Sequence, residues 1–311
     1  MIIKKKVILA ACIFISILEA RSQEYIRLWP EGKKINFNGK KVTDSLFNER
    51  IWRVSDPGMY SFLVPQGENK GTAVLICPGG GYERLSYLYN GFNLAKWYNS
   101  IGINAFVLIY RLPHQADLTE REKAPLQDAQ RAMKIIRANA ARWNIKPGKL
   151  GIMGTSAGGH LATMAGTKLI DISSINDSLD KYDHRPDFMV LLSPVITMGE
   201  YAHKPSRQRL LGPDTSQVML DLYSNEKQVS NSTPPVFMVH ALNDSTVPVQ
   251  NSLLFYQALI THKVNASLHI FPQGGHNIRI DDNPGSTDQW LVLLEAWLKE
   301  MGFAEPLPFK K

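Results

Sequence analysis

From about residue 55 onward, short apolar runs alternate with stretches whose apolar side chains recur every three or four positions. Runs at 60–64, 72–77, 150–153, 188–192, 236–241 and 266–271 have the length and composition of strands, and 103–109 is almost unbroken apolar. An unbroken run of that length suits a strand covered on both faces, because no side of it meets water. Helical spacing marks 88–99, 253–260 and 290–301, an Ala- and Arg-rich stretch at 126–143, and an Ala-rich one at 157–166.

Strands alternating with helices predict an α/β fold, a mostly parallel central sheet wrapped by helices on both faces. No internal repeat, low-complexity tract or linker interrupts the pattern, so residues 23–311 read as one domain. Residues 23–55 are expected to add edge strands and turns. Residues 199–235, polar and rich in Ser, Pro and Asn, exceed an ordinary connection and are expected to form a small cap over one end of the sheet.

The start of the chain has a different pattern. Lys4, Lys5 and Lys6 precede an apolar stretch from Val7 to Leu18, and Ala20-Arg21-Ser22 offers small residues for cleavage. This is the plan of a signal peptide over 1–22, and the run is short for a membrane span. Leu9-Ala10-Ala11-Cys12 resembles a lipobox, but the apolar stretch continues past Cys12, where a lipobox should end it. Export to a periplasmic or extracellular space is therefore expected, without a lipid anchor and without membrane insertion after cleavage. Removing 1–22 changes the charge reading too. The chain carries +7, of which Lys4, Lys5, Lys6 and Arg21 against Glu19 contribute +3, leaving +4. With no basic run longer than two residues beyond them, a nucleic-acid partner is not expected. The remaining cysteine, Cys77, ends an apolar run and reads as a small buried hydrophobe.

The candidate chemistry clusters at strand ends. Gly154-Thr155-Ser156-Ala157-Gly158 is a G-x-S-x-G pentapeptide between the strand at 150–153 and the helix at 157–166. A serine nucleophile needs such a strand–turn–helix, because the sharp turn lifts its oxygen above the sheet and tolerates little bulk beside it. Pro78-Gly79-Gly80-Gly81-Tyr82 follows the strand at 72–77. Its free backbone N–H groups, with that of Ala157, are candidates for an oxyanion hole, Gly80 and Gly81 supplying the loop donors. Neither a Walker ending nor a dinucleotide fingerprint is present.

Among eight histidines, His276 follows Gly274-Gly275 after the strand at 266–271, at the sheet end where open α/β sheets place their chemistry. His240 and His269 lie inside strand patterns and read as packed. His160 is placed to brace the turn, while His114, His184, His203 and His262 read as loop or surface residues. The acid should fall between serine and histidine in chain order, and Asp244, at the end of the strand at 236–241, fits. Asp244 would orient His276, which would take the Ser156 proton and return one to a departing alcohol. No zinc motif appears, and this chemistry needs no metal or cofactor. Tyr82, His114 and the 199–235 segment are expected to line the substrate pocket.

These motifs resemble the α/β-hydrolase superfamily and, more closely, its secreted bacterial carbohydrate-esterase and lipase-like branch, which includes acetylxylan esterases and feruloyl-esterase-like proteins. The resemblance spans roughly 55–303. It rests on Pro78-Gly79-Gly80-Gly81-Tyr82, Tyr110-Arg111-Leu112-Pro113, Pro125-Leu126-Gln127-Asp128-Ala129-Gln130, Gly154-Thr155-Ser156-Ala157-Gly158-Gly159-His160-Leu161, Thr233-Pro234-Pro235 leading to His240-Ala241 and Asp244, and Gly274-Gly275-His276. It implies an α/β-hydrolase fold and hydrolysis of acetyl or other short acyl esters on an acylated carbohydrate, such as acetylated xylan. Two departures flank the site. Asn243 stands where the branch often has a first Asp, and Asn277-Ile278-Arg279 where it often has Gly and an aromatic. A prolyl-oligopeptidase-like serine peptidase and a non-catalytic carbohydrate-binding protein on the same fold are the competing readings. A glycoside hydrolase would need two facing carboxylates, and none can be paired from the sequence.

Overall fold

A computed structural model of the chain describes residues 23–276 and 278–305. The expected signal segment with Cys12, and Asn277, lie outside the described residues. Eight strands form one sheet in the order β1 (Tyr25–Arg27), β4 (Gly58–Phe62), β6 (Asn104–Ile109), β5 (Ala73–Cys77), β7 (Leu150–Thr155), β8 (Met189–Leu192), β9 (Val236–Ala241) and β10 (Ala266–Phe271). β4 runs antiparallel to both neighbours, and every pairing from β6 to β10 is parallel. Between β1 and β4 the chain makes a separate hairpin, β2 (Ser45–Phe47) with β3 (Arg50–Arg53).

The period of two along each strand divides the core between the faces. In β5, Ala73, Leu75 and Cys77 join one cluster, which also holds Leu126 and Met133 of α2 (Ala124–Ala138), Leu161 of α3 (Ala157–Thr167) and Phe255 of α6 (Gln250–Thr261). Val74 and Ile76 join the other cluster, with Tyr98 of α1 (Asn93–Ser100) and Leu294 and Trp297 of α7 (Trp290–Glu300). Two short helices, α4 (Lys204–Leu211) and α5 (Gln217–Tyr223), complete the set.

Three departures from the sequence pattern have local causes. The helix expected from residue 88 begins as a π-turn, Leu88–Phe92, with the Phe92 N–H donating to Tyr87 O at 2.8 Å. Gly91 lies against β6 there: a Cβ would come within 2.6 Å of a Val107 methyl. The helix expected to reach Trp143 stops at Ala138, where the Asn139 amide donates to Ile135 O at 2.9 Å and closes the last turn. Trp143 packs instead against Phe106, their ring centres 4.8 Å apart. Within 199–235, only the start of the segment reaches the open end of the sheet. Its later part packs on α3, with Asn225 donating to His160 O at 3.0 Å.

Charged residues on α2 hold the long connection before β8. Lys134, fully buried, pairs with Asp171 and with Asp180, and Arg131 pairs with Asp177. Burial alone would raise the pKa of Asp171 and Asp180, but their hydrogen bonds to Lys134 and nearby serines lower both; the Arg131 hydrogen bond lowers Asp177. Lys134→Met leaves carboxylates without their cation and is expected to destabilise the fold by about 3 kcal/mol in denaturant titration at neutral pH. Carboxylates with depressed pKa stabilise the fold above their ordinary value of 3.8 and lose that contribution as pH falls through the folded values. The gap between variant and wild type should therefore narrow below about pH 4, and a gap independent of pH would contradict this account.

Candidate active site

Ser156 sits between β7 and α3 with φ 55° and ψ −121°, the backbone of a sharp turn. The flanking glycines are sterically required. A Cβ on Gly154 would lie 2.1 Å from Gly158 O, and one on Gly158 would lie 2.0 Å from Cys77 O. Neither carbonyl can move without breaking the turn or displacing β5. Gly158→Ala is therefore expected to abolish soluble expression or lower Tm by at least about 8 °C, readable by thermal melting.

The other two residues arrive from the ends of β9 and β10. His276 Nε2 lies 2.8 Å from Ser156 Oγ, and His276 Nδ1 lies 2.7 Å from an Asp244 oxygen. The second Asp244 oxygen accepts backbone N–H bonds from Thr246 and Val247, both 2.9 Å. Burial works to raise the Asp244 pKa, but hydrogen bonds from His240, His276 and the Val247 N–H, with the attraction of His276, hold it well below the usual carboxylate range. The carboxylate stays ionised against the imidazole. His240, read from the sequence as packed, is fully buried and also flanks Asp244: its Nε2 is 3.0 Å from Val247 O and 3.3 Å from an Asp244 oxygen.

The glycine loop reaches over this relay. A Cβ on Gly79 would come within 2.8 Å of Thr155 O and 3.2 Å of Ser156 Cβ. Gly80 and Gly81 have φ of 139° and 65°, conformations that side chains resist. No hydrogen bond ties the N–H of Gly80, Gly81 or Ala157 to another described residue, so three donors stand unspent beside Ser156.

Two expected lining residues do not line the cavity. Tyr82 follows the loop with φ 58°, which turns its side chain inward; it is fully buried, and its hydroxyl donates to His160 Nδ1 at 2.9 Å. His160 Nε2 donates in turn to Tyr223 O at 2.8 Å, and burial lowers its pKa to about 4, so the ring is neutral. Tyr82 thus fastens the glycine loop to α3 rather than meeting substrate. His114 is exposed outside the cavity, with Nδ1 3.2 Å from Tyr82 O. Tyr82→Phe should lower stability by about 1 kcal/mol in denaturant titration and leave KM within a factor of two. A large rise in KM with unchanged stability would restore Tyr82 to the substrate.

Ser156 and His276 open into a cavity of about 580 Å³. Its walls include Gly80, Gly81 and Thr155, with Arg279 from the stretch flanking the site, His203, which read as a loop or surface residue, and Arg209 and Tyr89, which the sequence did not single out. His203 and Arg209 come from the start of the 199–235 segment. Arg209 donates to Glu83 at 2.6 Å, and Glu83 also pairs with Arg84, so an ion-pair cluster joins α4 to the glycine loop. The 199–235 segment thus contributes to the lining as expected, but only through its start, and Arg279 lies in the stretch that flanks the site in sequence; which side chains reach the cavity is set by folding alone. Among the described residues no group of three or more His, Cys, Asp or Glu side chains could hold a metal ion.

A serine on a strand–turn–helix, a histidine and an acid from later strands, and this sheet order define an α/β hydrolase. The chain belongs to the BD-FAE family, whose model matches residues 62–259. It is 36% identical over 254 residues to an acetylxylan esterase of Xylanibacter ruminicola, covering 80% of this chain and 50% of that protein. It is 36% identical over 247 residues to endo-1,4-beta-xylanase B of Butyrivibrio fibrisolvens, covering 75% of this chain and 38% of that protein. The chain thus spans half or less of the length of these two relatives. The solved acetyl ester-xyloside bifunctional hydrolase from Caldicellulosiruptor lactoaceticus is 35% identical, with a TM-score of 0.77 over 91% of this chain and 97% of that one. An esterase from Thermogutta terrifontis, solved with propionate bound, shares the fold at 21% identity, with a TM-score of 0.67 over 81% of this chain and 92% of that one.

Proposed function

We propose that this chain is a carbohydrate esterase that removes acetyl or other short acyl groups from plant polysaccharide such as acetylated xylan, through a serine acyl-enzyme. The observation that carries the reading is the continuous hydrogen-bonded relay from Asp244 through His276 to Ser156, opening on a large cavity. Relatives with esterase names support the reaction class, and the acetylxylan esterase supports the substrate.

In this mechanism His276 Nε2 takes the Ser156 proton as Oγ attacks the ester carbonyl. The N–H groups of Ala157 and of Gly80 or Gly81 receive the oxyanion, each donor lowering the barrier by about 3 kcal/mol. Collapse expels the sugar alkoxide, which His276 protonates, and leaves an acyl-Ser156. Water activated by His276 then releases the acid and restores the serine. Asp244 holds the imidazole in its working tautomer throughout. The signal-like 1–22 segment supports export as the route to a polysaccharide substrate.

The test is covalent labelling with a fluorophosphonate followed by peptide mass spectrometry, with an acyl ester and a dipeptide amide assayed in parallel. One adduct, on Ser156, with turnover of the ester only is expected. A folded protein with no adduct would overturn the serine mechanism, and faster turnover of the amide would favour a peptidase.

A further inference from the structure

The cavity holds an imidazole that the relay does not use. His203 caps the start of α4, and its Nδ1 is 2.7 Å from Ser206 Oγ. Its Cε1 edge rests against the glycine loop, 3.7 Å from where a Gly81 Cβ would stand. The ring lines the same cavity as Ser156 and His276. Ion pairing of Arg209 with Glu83 holds α4, and the ring with it, against that loop.

The hydrogen bond to Ser206 fixes which nitrogen carries the proton. Ser206 is fully buried, and its hydroxyl has no other partner among the described residues. If Nδ1–H donated to Oγ, the buried hydroxyl hydrogen would be stranded. Donation from the hydroxyl to Nδ1 satisfies both groups and places the ring proton on Nε2, the unbonded nitrogen. Burial above all, with the nearby Arg209 cation, lowers the His203 pKa to about 4, so the ring stays neutral near pH 7. A neutral donor fits an alcohol oxygen better than it fits a carboxylate. The His276 side of Ser156 is also where the alcohol departs, since His276 protonates it.

We infer that His203, its tautomer set by Ser206, donates Nε2–H to the hydroxyl next to the esterified carbon of the substrate, and so selects vicinal diol monoesters such as partly acylated sugars. This rests on the esterase reading above and goes beyond it by naming the group that recognises the alcohol half. The sequence placed His203 only within a segment expected to line the pocket and read the residue itself as loop or surface.

The experiment compares two acetates that differ by one hydroxyl: the monoacetate of trans-1,2-cyclohexanediol and cyclohexyl acetate. The readout is the ratio of their kcat/KM values in wild type, His203→Ala and His203→Gln. Intrinsic ester reactivity cancels when the ratio is compared between proteins. One neutral hydrogen bond predicts that the ratio falls about tenfold in His203→Ala. It should recover partly in His203→Gln, whose amide N–H can donate in place of the ring. Equal ratios in all three proteins would overturn the role of His203 while leaving the esterase reading intact. If p-nitrophenyl acetate is hydrolysed by wild type but neither cyclohexyl ester is, the secondary-alcohol substrate class itself falls, and this inference with it.

Discussion

Ser156→Ala is expected to lower kcat for p-nitrophenyl acetate by about a millionfold, down to whatever the oxyanion donors and binding supply alone. The loss should be chemical rather than structural. Ser156 Oγ has one side-chain partner, His276, and the elbow is shaped by Gly154 and Gly158, which the substitution leaves in place. The thermal melting midpoint should stay within a few degrees of wild type. A folded variant retaining a tenth of the activity would mean that another group attacks the ester, and the relay would lose its assigned role.

Asp244→Asn carries the second large effect, a loss of about ten thousandfold in kcat with little change in KM. In the native site one Asp244 oxygen is committed to the N–H groups of Thr246 and Val247. An asparagine oxygen would keep that position, which turns the amide NH2 towards His276 Nδ1. The imidazole must then accept at Nδ1 and carry its proton on Nε2, where it can no longer take one from Ser156. Kinetics of the purified variant decide the matter. A loss smaller than about tenfold would show that Asp244 does not set the His276 tautomer, and attention would shift to His240, the other imidazole beside that carboxylate.

Much of this site was legible because its chemistry is bound to strand ends. The strands at 72–77, 150–153, 236–241 and 266–271 were visible as apolar runs, and each is followed by the segment that bears a site residue. Serine, acid and histidine could therefore be placed in order before any geometry was known, and they meet within hydrogen-bond distance. Tyr82 shows the limit of such reasoning. It neighbours the glycine loop in sequence, but a left-handed backbone turns its ring into the core. His203 and Arg209 show the converse. Their helix α4 lies in a polar stretch with no marked periodicity, and tertiary ion pairing with Glu83 brings it over the loop. The hairpin of β2 and β3 was foreseen only as edge structure, since strands of 3 and 4 residues are too short to show an alternation.

The most direct test of the central claim is acetate release from acetylated xylan, measured for the wild-type chain lacking residues 1–22 and for the same chain with Ser156→Ala. The account predicts sustained release by wild type and none above background by the variant. Equal release by both, or none from wild type while it remains folded and reactive towards fluorophosphonate, would contradict it.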